Sequence, residues 1–206
     1  MKNILFIQSS PRGPQSYSQK VAQSIVDELK TRHPAANVVV RNLAQNPPPH
    51  VGEAFVGALS ILPDQRNPEQ TAALNLSDAL IDELAAADIV VLAVPMHNFG
   101  PPSSLKAWID HVVRIGRTVS YSQQGPEGAL KGKRVILVLA SGGVYSDGPA
   151  RQLDFQEPYL RAILGFIGLT DVEVVHVEGV AMSAIGPEKA VASAMARSTE
   201  VLTTVS

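Results

Sequence analysis

The sequence predicts a doubly wound α/β fold, in which a five-stranded parallel sheet carries helices on both faces. Short apolar runs rich in β-branched residues recur along the 206 residues, as expected of strands buried on both faces. Segments with helical spacing of apolar residues lie between these runs, so strand and helix alternate. This alternation is typical of a parallel sheet whose connections are helices.

The predicted strands cover residues 4–7, 38–40, 89–94, 135–139 and 172–177. The predicted helices cover residues 21–29, 74–84, 103–115, 157–167 and 187–202. Residues 44–67 form a proline-rich stretch that is too long for an ordinary connection, which indicates a functional lid or a poorly ordered loop. Because no repeat or linker divides the chain, we expect residues 1–206 to form a single domain.

Composition excludes several kinds of function. The net charge of −2 and the absence of any Lys/Arg run argue against nucleic acid as a partner. The chain has no cysteine, which excludes disulfides, thiolate metal sites and a cysteine nucleophile, so redox chemistry requires a bound cofactor. Polar residues resume soon after residue 7 and no run approaches the ~20 apolar residues of a membrane span, so we expect a cytoplasmic protein without membrane partners.

The loop after the first predicted strand is rich in hydroxyl groups. It contains Ser9 and Ser10 and reaches the next helix through Ser16, Tyr17 and Ser18. Free N–H groups at a helix amino terminus bind anions, and serine hydroxyls add donors around one phosphate. Neither G-x-G-x-x-G nor G-x-x-x-x-G-K-[ST] occurs, so a monophosphate fits better than a dinucleotide or a triphosphate. An alternative is that Ser16 and Gln19 only form a capping box.

The loops after the third and fourth predicted strands suit a flat ring. Met96, His97, Asn98 and Phe99 lie in a proline-flanked loop that can present N–H groups, an amide and apolar cover. In the other loop, which runs from Ala140 to Tyr145, two glycines allow the backbone to approach a planar ligand closely. Each loop alone also fits an ordinary turn. Ligands of open α/β sheets bind beyond the carboxyl ends of the strands, so the case for a site is the joint placement of the loops.

Other chemistry finds little support. No H-E-x-x-H cluster predicts a metal, and no G-x-S-x-G elbow predicts a hydrolytic serine. Most carboxylates fall on predicted helix surfaces, where solvation explains them. We therefore expect no metal and no catalytic side chain.

With these residues in view, the chain resembles the FMN-dependent NAD(P)H azoreductases and quinone reductases, which have a flavodoxin-like fold. The likeness covers nearly the whole chain. The residues that carry it lie in the three loops, at Leu105-Lys106, at Tyr121 with residues 125–128, at residues 142–149 and at residues 164–168.

The resemblance implies a function for each loop. Ser10 and Ser16, Tyr17 and Ser18 would hold the FMN phosphate, Met96, His97, Asn98 and Phe99 would edge the isoalloxazine, and Ala140, Ser141, Gly142 and Gly143 would contact its pyrimidine side. Family members often have tyrosine in place of His97 and a Ser-Arg pair in place of Ala140-Ser141, differences that bear on flavin potential and substrate preference. The resemblance also implies a homodimer whose active sites lie at the subunit interface.

The resulting hypothesis is a ping-pong oxidoreductase that uses FMN to transfer hydride from NADH or NADPH to quinones and azo compounds. Phe99, Tyr121, Tyr145 and Phe166 are candidate substrate-binding aromatics, although core packing also explains Phe166. One alternative is a flavodoxin-type electron carrier, but such carriers are usually strongly acidic and this chain is nearly neutral. Another is a regulatory or scaffold domain that binds no flavin.

Overall fold

A computed structural model describes residues 1–204 and shows one five-stranded parallel sheet in the order β2-β1-β3-β6-β7. The sheet strands are β1 (Asn3–Gln8), β2 (Asn37–Asn42), β3 (Ile89–Pro95), β6 (Arg134–Ala140) and β7 (Asp171–Val177). All five predicted strands are therefore confirmed. A separate antiparallel hairpin, β4 (Val119–Ser122) and β5 (Gly125–Gly128), was not predicted.

Six α-helices accompany the sheet. They are α1 (Tyr17–Arg32), α2 (Glu53–Leu59), α3 (Pro68–Ala86), α4 (Ser103–Val112), α5 (Glu157–Phe166) and α6 (Gly186–Thr203). The five predicted helices are all present, and α2 is an additional helix inside the proline-rich stretch. The predicted helix over residues 103–115 ends early, because Val113 leaves the helical conformation at φ −87° and ψ 92°.

The three central strands β1, β3 and β6 are buried on both faces, which explains why they are continuously apolar. The expectation of burial on both faces is wrong for β2, which has no buried residue because it lies at the edge of the sheet. Alternate strand residues such as Leu5, Val90 and Leu137 pack against α3, α4 and α5 on one face. Their neighbours, such as Phe6 and Val91, pack against α1 and α6 on the other face. The helices thus cover the two sides as a doubly wound fold requires.

The strand order reverses between β1 and β3, since the chain proceeds from β1 outward to β2 and then returns to the other side of β1. Loops that follow strands on either side of such a reversal enclose a crevice in which open α/β sheets bind ligands. The loops after β1, β3 and β6 meet at this edge, because Pro95 lies beside Ala140 in the sheet register.

Candidate functional site

The loop after β1 forms a buried hydroxyl cluster at the start of α1. Ser16 and Ser18 are almost fully buried, with their Oγ atoms 3.1 Å apart. Ser16 Oγ accepts a hydrogen bond of 3.3 Å from the Gln19 N–H, which is one half of the predicted capping box. The earlier N–H groups of the helix, those of Tyr17 and Ser18, have no intrahelical acceptor. They therefore remain free to bind an anion.

Positive charge surrounds this helix start. The Arg12 guanidinium lies 5.4 Å from the centre of the Tyr17 ring, and the Lys20 ammonium lies 5.8 Å from the same ring. Two cations beside the amino terminus of α1 raise the local positive potential. Their presence favours a phosphate at this end of the crevice.

The loop after β3 is a tight turn in an uncommon conformation. His97 and Gly100 exchange backbone hydrogen bonds of 2.8 and 3.0 Å. Between them, Asn98 and Phe99 both have positive φ, at 49° and 69°. Such a turn usually has glycine or asparagine at its centre, so a phenylalanine there is strained. The turn holds the Phe99 ring at the surface, 41% exposed.

The same turn is fixed from two sides. The Met96 N–H donates to the Ala140 carbonyl at 2.7 Å, which ties the turn to the end of β6. The Phe155 N–H donates to the Phe99 carbonyl at 3.0 Å, and the buried Gln156 amide donates to the Pro95 carbonyl at 2.9 Å. Phe155 and Gln156 escaped prediction, because nothing in their local sequence marks residues that bond to a loop about 60 positions away.

The loop after β6 uses its carbonyls in hydrogen bonds but leaves two of its N–H groups without an acceptor in residues 1–204. The carbonyls of Ser141, Gly142 and Gly143 accept hydrogen bonds from the segment that follows β7. Among residues 1–204, neither Gly142 nor Gly143 donates its N–H to another group. These two donors can bind carbonyl oxygens or ring nitrogens of a flat ligand.

An ion pair stabilises the start of α5 close to these loops. His176 on β7 and Glu157 on α5 are joined by a hydrogen bond of 2.7 Å between Nε2 and Oε2. This bond, helped by one from Arg161, lowers the pKa of Glu157 to about 2 despite partial burial. The same bond raises the pKa of His176 above its usual value.

The structure thus brings the predicted FMN-binding residues to one edge of the sheet, but it divides the predicted substrate-binding aromatics. The rings of Phe99 and Tyr145 meet edge to face at this edge, with centroids 6.0 Å apart. Phe166 ends α5, nine residues beyond Glu157 and therefore about 14 Å further along the helix axis, at the opposite edge.

Tyr121 lies on the β4–β5 hairpin, which is anchored at that opposite edge. The Leu130 N–H donates to the Ile167 carbonyl at 2.9 Å, just after the hairpin and just after α5. Gly128 packs so closely against Gly168 that a β-carbon on Gly128 would meet the Gly168 nitrogen at 2.1 Å. Within one protomer, Tyr121 and Phe166 therefore lie away from the three loops.

No group of three or more metal-ligating side chains occurs in the described part of the chain, residues 1–204. Over the same residues, every helix is too short or too polar to cross a bilayer. The predicted cytoplasmic location stays a prediction.

Comparison with known proteins agrees with this geometry. Residues 2–202 match a family model described as flavodoxin-like fold. An FMN-dependent NADH:quinone oxidoreductase of Aromatoleum aromaticum is 53% identical over 192 residues, which are 93% of this chain and 95% of that protein. This chain belongs to that family. FMN-dependent NADH:quinone oxidoreductase 2 of Rhizobium etli is 48% identical, over 98% of this chain and 96% of that protein.

Solved structures of azoreductases have a similar fold. An azoreductase from Bacillus anthracis superposes with a TM-score of 0.90 at 28% identity, and the match covers 98% of each chain. The resemblance stated from the sequence and the predicted fold class are both confirmed.

Proposed function

We propose that this chain binds FMN and uses it to transfer hydride from NADH or NADPH to quinones and azo compounds by a ping-pong mechanism. The observation that carries the proposal is the set of unpaired N–H groups that the loops after β1 and β6 present at the strand-order reversal. The predicted enzyme class and cofactor agree with the names of relatives at about 50% identity. We include azo compounds as acceptors because a solved structure with a similar fold is an azoreductase.

Each loop suits one part of FMN. The hydroxyls of Ser10, Ser16 and Ser18, with the N–H groups of Tyr17 and Ser18, fit one phosphate. At the ring, the Gly142 and Gly143 N–H groups fit the pyrimidine oxygens. The turn that runs from Met96 to Phe99, including His97 and the Asn98 amide, fits the ring edge. Ala140, which pairs with Pro95 in the sheet, and Ser141 would contact the ring from the end of β6.

The chain's own residues bind and orient rather than transfer protons. Bound FMN would supply the chemistry, which is hydride transfer between the nicotinamide and the second substrate. The backbone donors of Gly142 and Gly143 would stabilise negative charge on the ring edge. Phe99 and Tyr145 form one apolar wall, which suits the nicotinamide and a flat acceptor in turn. One shared slot is the basis for proposing ping-pong kinetics.

We further propose a homodimer in which Tyr121 and Phe166 complete the site of the partner. They lie at the opposite edge from the loops of their own protomer, so a role in substrate binding requires a second copy. The same part of the molecule exposes large apolar side chains, which favour an interface. They are Val56, Leu59, Leu62 and Ile115, and the last three line one groove of about 460 Å³.

The test is NADH oxidation by the purified protein with FMN and a benzoquinone. We expect oxidation well above the rate with free FMN, and initial rates at varied NADH and quinone should give parallel double-reciprocal lines. FMN uptake without quinone-dependent oxidation would favour the electron carrier instead. An azo dye in place of quinone tests the second acceptor class.

A further inference from the structure

The segment after β7 holds the loop after β6 through one carboxylate. Glu178 is the first residue beyond β7, and its Oε1 accepts the Tyr145 N–H at 2.7 Å and the Ser146 N–H at 2.9 Å. Its Oε2 accepts the Ser146 hydroxyl. Hydrogen bonds to an ionised acceptor are stronger than those between neutral groups, so this clasp is a strong local constraint.

Backbone contacts make the constraint directional. The N–H groups of Gly179 and Ala181 donate to the carbonyls of Gly143 and Gly142, both at 3.0 Å. The loop therefore turns its carbonyls toward the segment after β7. Glu178, on the same segment, accepts the N–H groups of Tyr145 and Ser146. The segment after β7 thus holds the chain on both sides of Val144.

These contacts set the place of the Tyr145 ring. A β-carbon on Gly143 would lie 3.2 Å from the Tyr145 ring, so the ring folds back over the glycine. On its other side the ring meets Phe99, with an interplanar angle of 70°. Tyr145 is thus a bridge between the two loops that fit the flavin ring.

We propose that Glu178 is a positioning residue that fixes Tyr145 against Phe99 and thereby sets how a flat acceptor binds. The inference rests on the proposed function and extends it to a residue outside the three loops. Without the carboxylate, the Tyr145 and Ser146 N–H groups lose their acceptor and this part of the loop relaxes. The Gly142 and Gly143 carbonyls keep their own partners, so FMN binding is largely retained.

The experiment uses the FMN-loaded protein and the variants Glu178→Ala, Tyr145→Ala and the double variant. Glu178→Ala should lower kcat/KM for benzoquinone about tenfold, while the Kd for FMN changes much less. Because the nicotinamide uses the same wall of Phe99 and Tyr145, flavin reduction by NADH in anaerobic stopped flow should slow as well. Because Glu178 acts through Tyr145, adding Glu178→Ala to Tyr145→Ala should cost little more. Glu173→Ala is the matched control, because it removes a partly buried carboxylate of β7 whose ion-pair partners within residues 1–204 are Arg134 and Arg197 alone.

A readout without turnover accompanies the kinetics. Amide hydrogen exchange at Tyr145 and Ser146 should quicken in Glu178→Ala and stay unchanged in Glu173→Ala. If Glu178→Ala does not fold, Glu178→Gln replaces it, since its amide keeps the shape while losing the charge. The glutamine variant should show a smaller loss that again vanishes in the Tyr145→Ala background.

Two results would overturn the inference. One is an additive effect of the Glu178 and Tyr145 substitutions. The other is a loss of FMN affinity as large as the loss in kcat/KM for benzoquinone. Failure of the proposed function is recognised separately, because the wild-type protein itself would then show no quinone-dependent NADH oxidation, and the inference would fall with it.

Discussion

Phe99 has a strained backbone conformation and an exposed ring. Its φ of 69° places a bulky side chain in the left-handed region, which costs a non-glycine residue about 1–2 kcal/mol. Glycine would relieve this strain, as it does at the same position of many tight turns. The strain persists because the turn is hydrogen-bonded at both ends.

The strain and the ring can be separated by two substitutions. Phe99→Gly removes both, whereas Phe99→Ala removes the ring and keeps the left-handed β-carbon. We expect Phe99→Gly to exceed Phe99→Ala by about 1 kcal/mol in free energy of unfolding, measured by urea titration. Both should lose kcat/KM for quinone to a similar extent. Equal stability of the two variants would show that the turn is not strained.

At the residue scale, sequence reasoning found the ligand-facing groups and missed the groups behind them. Serines before a helix and paired glycines after a strand are local patterns with a physical meaning, so Ser16 and Gly142 could be singled out. Gln156 and Glu178 act on loops distant in sequence, through contacts that only the folded chain creates. A glutamine or a glutamate without a recognisable local motif does not predict such a contact.

At the scale of elements, sequence reasoning placed the strands well and missed two pieces. The central sheet strands are buried on both faces, so their apolar runs are unmistakable. The α2 helix has only seven residues, and its buried Phe55 packs edge to face on His111 of α4. Strand β5 reads Gly-Pro-Glu-Gly, which has no strand propensity, and the close contact with Gly168 holds it in place. Tertiary contacts, rather than local preference, form both elements.

The pair of Glu157 and His176 predicts how pH affects the start of α5. His176 has a raised pKa, so its stabilisation is complete below about 6.5 and is lost as pH rises through the folded value. Glu157 has a lowered pKa, so its contribution is complete above about 4.5 and is lost as pH falls toward about 2. The pair therefore stabilises most between these limits.

We expect the free energy of unfolding to fall as pH rises above 6.5, and the fall to be smaller in His176→Gln. Chemical denaturation at several pH values measures both slopes. His50→Gln serves as the control, because His50 is exposed and lies outside this pair. Identical slopes for wild type and His176→Gln would contradict the assignment.

At the scale of the whole molecule, the shared active site can be tested by mixing subunits. One variant carries Tyr121→Ala and Phe166→Ala with intact flavin loops, and the other carries Ser16→Ala and Ser18→Ala with intact aromatics. Each alone should be weakly active. Random reassociation of equal amounts makes half of the dimers mixed, each with one complete site, so activity should recover to about a quarter of wild type.

The control for this complementation is to mix the variants without dissociating and reassociating their subunits, which should leave activity low. Size-exclusion chromatography of each variant confirms that the subunits still associate. Full activity in the Tyr121→Ala and Phe166→Ala variant alone would instead show that these aromatics take no part in the site.

Two glycine N–H groups in the loop after β6 would also allow FMN binding to be followed by NMR. The Gly142 and Gly143 amide protons have no acceptor among residues 1–204, and glycine amides occupy an uncrowded region of an NMR spectrum. Their resonances should shift strongly on adding FMN, while that of Ser141, which donates to the Val177 carbonyl, should shift little. Two backbone signals would then report cofactor occupancy in real time, without any label on the ligand.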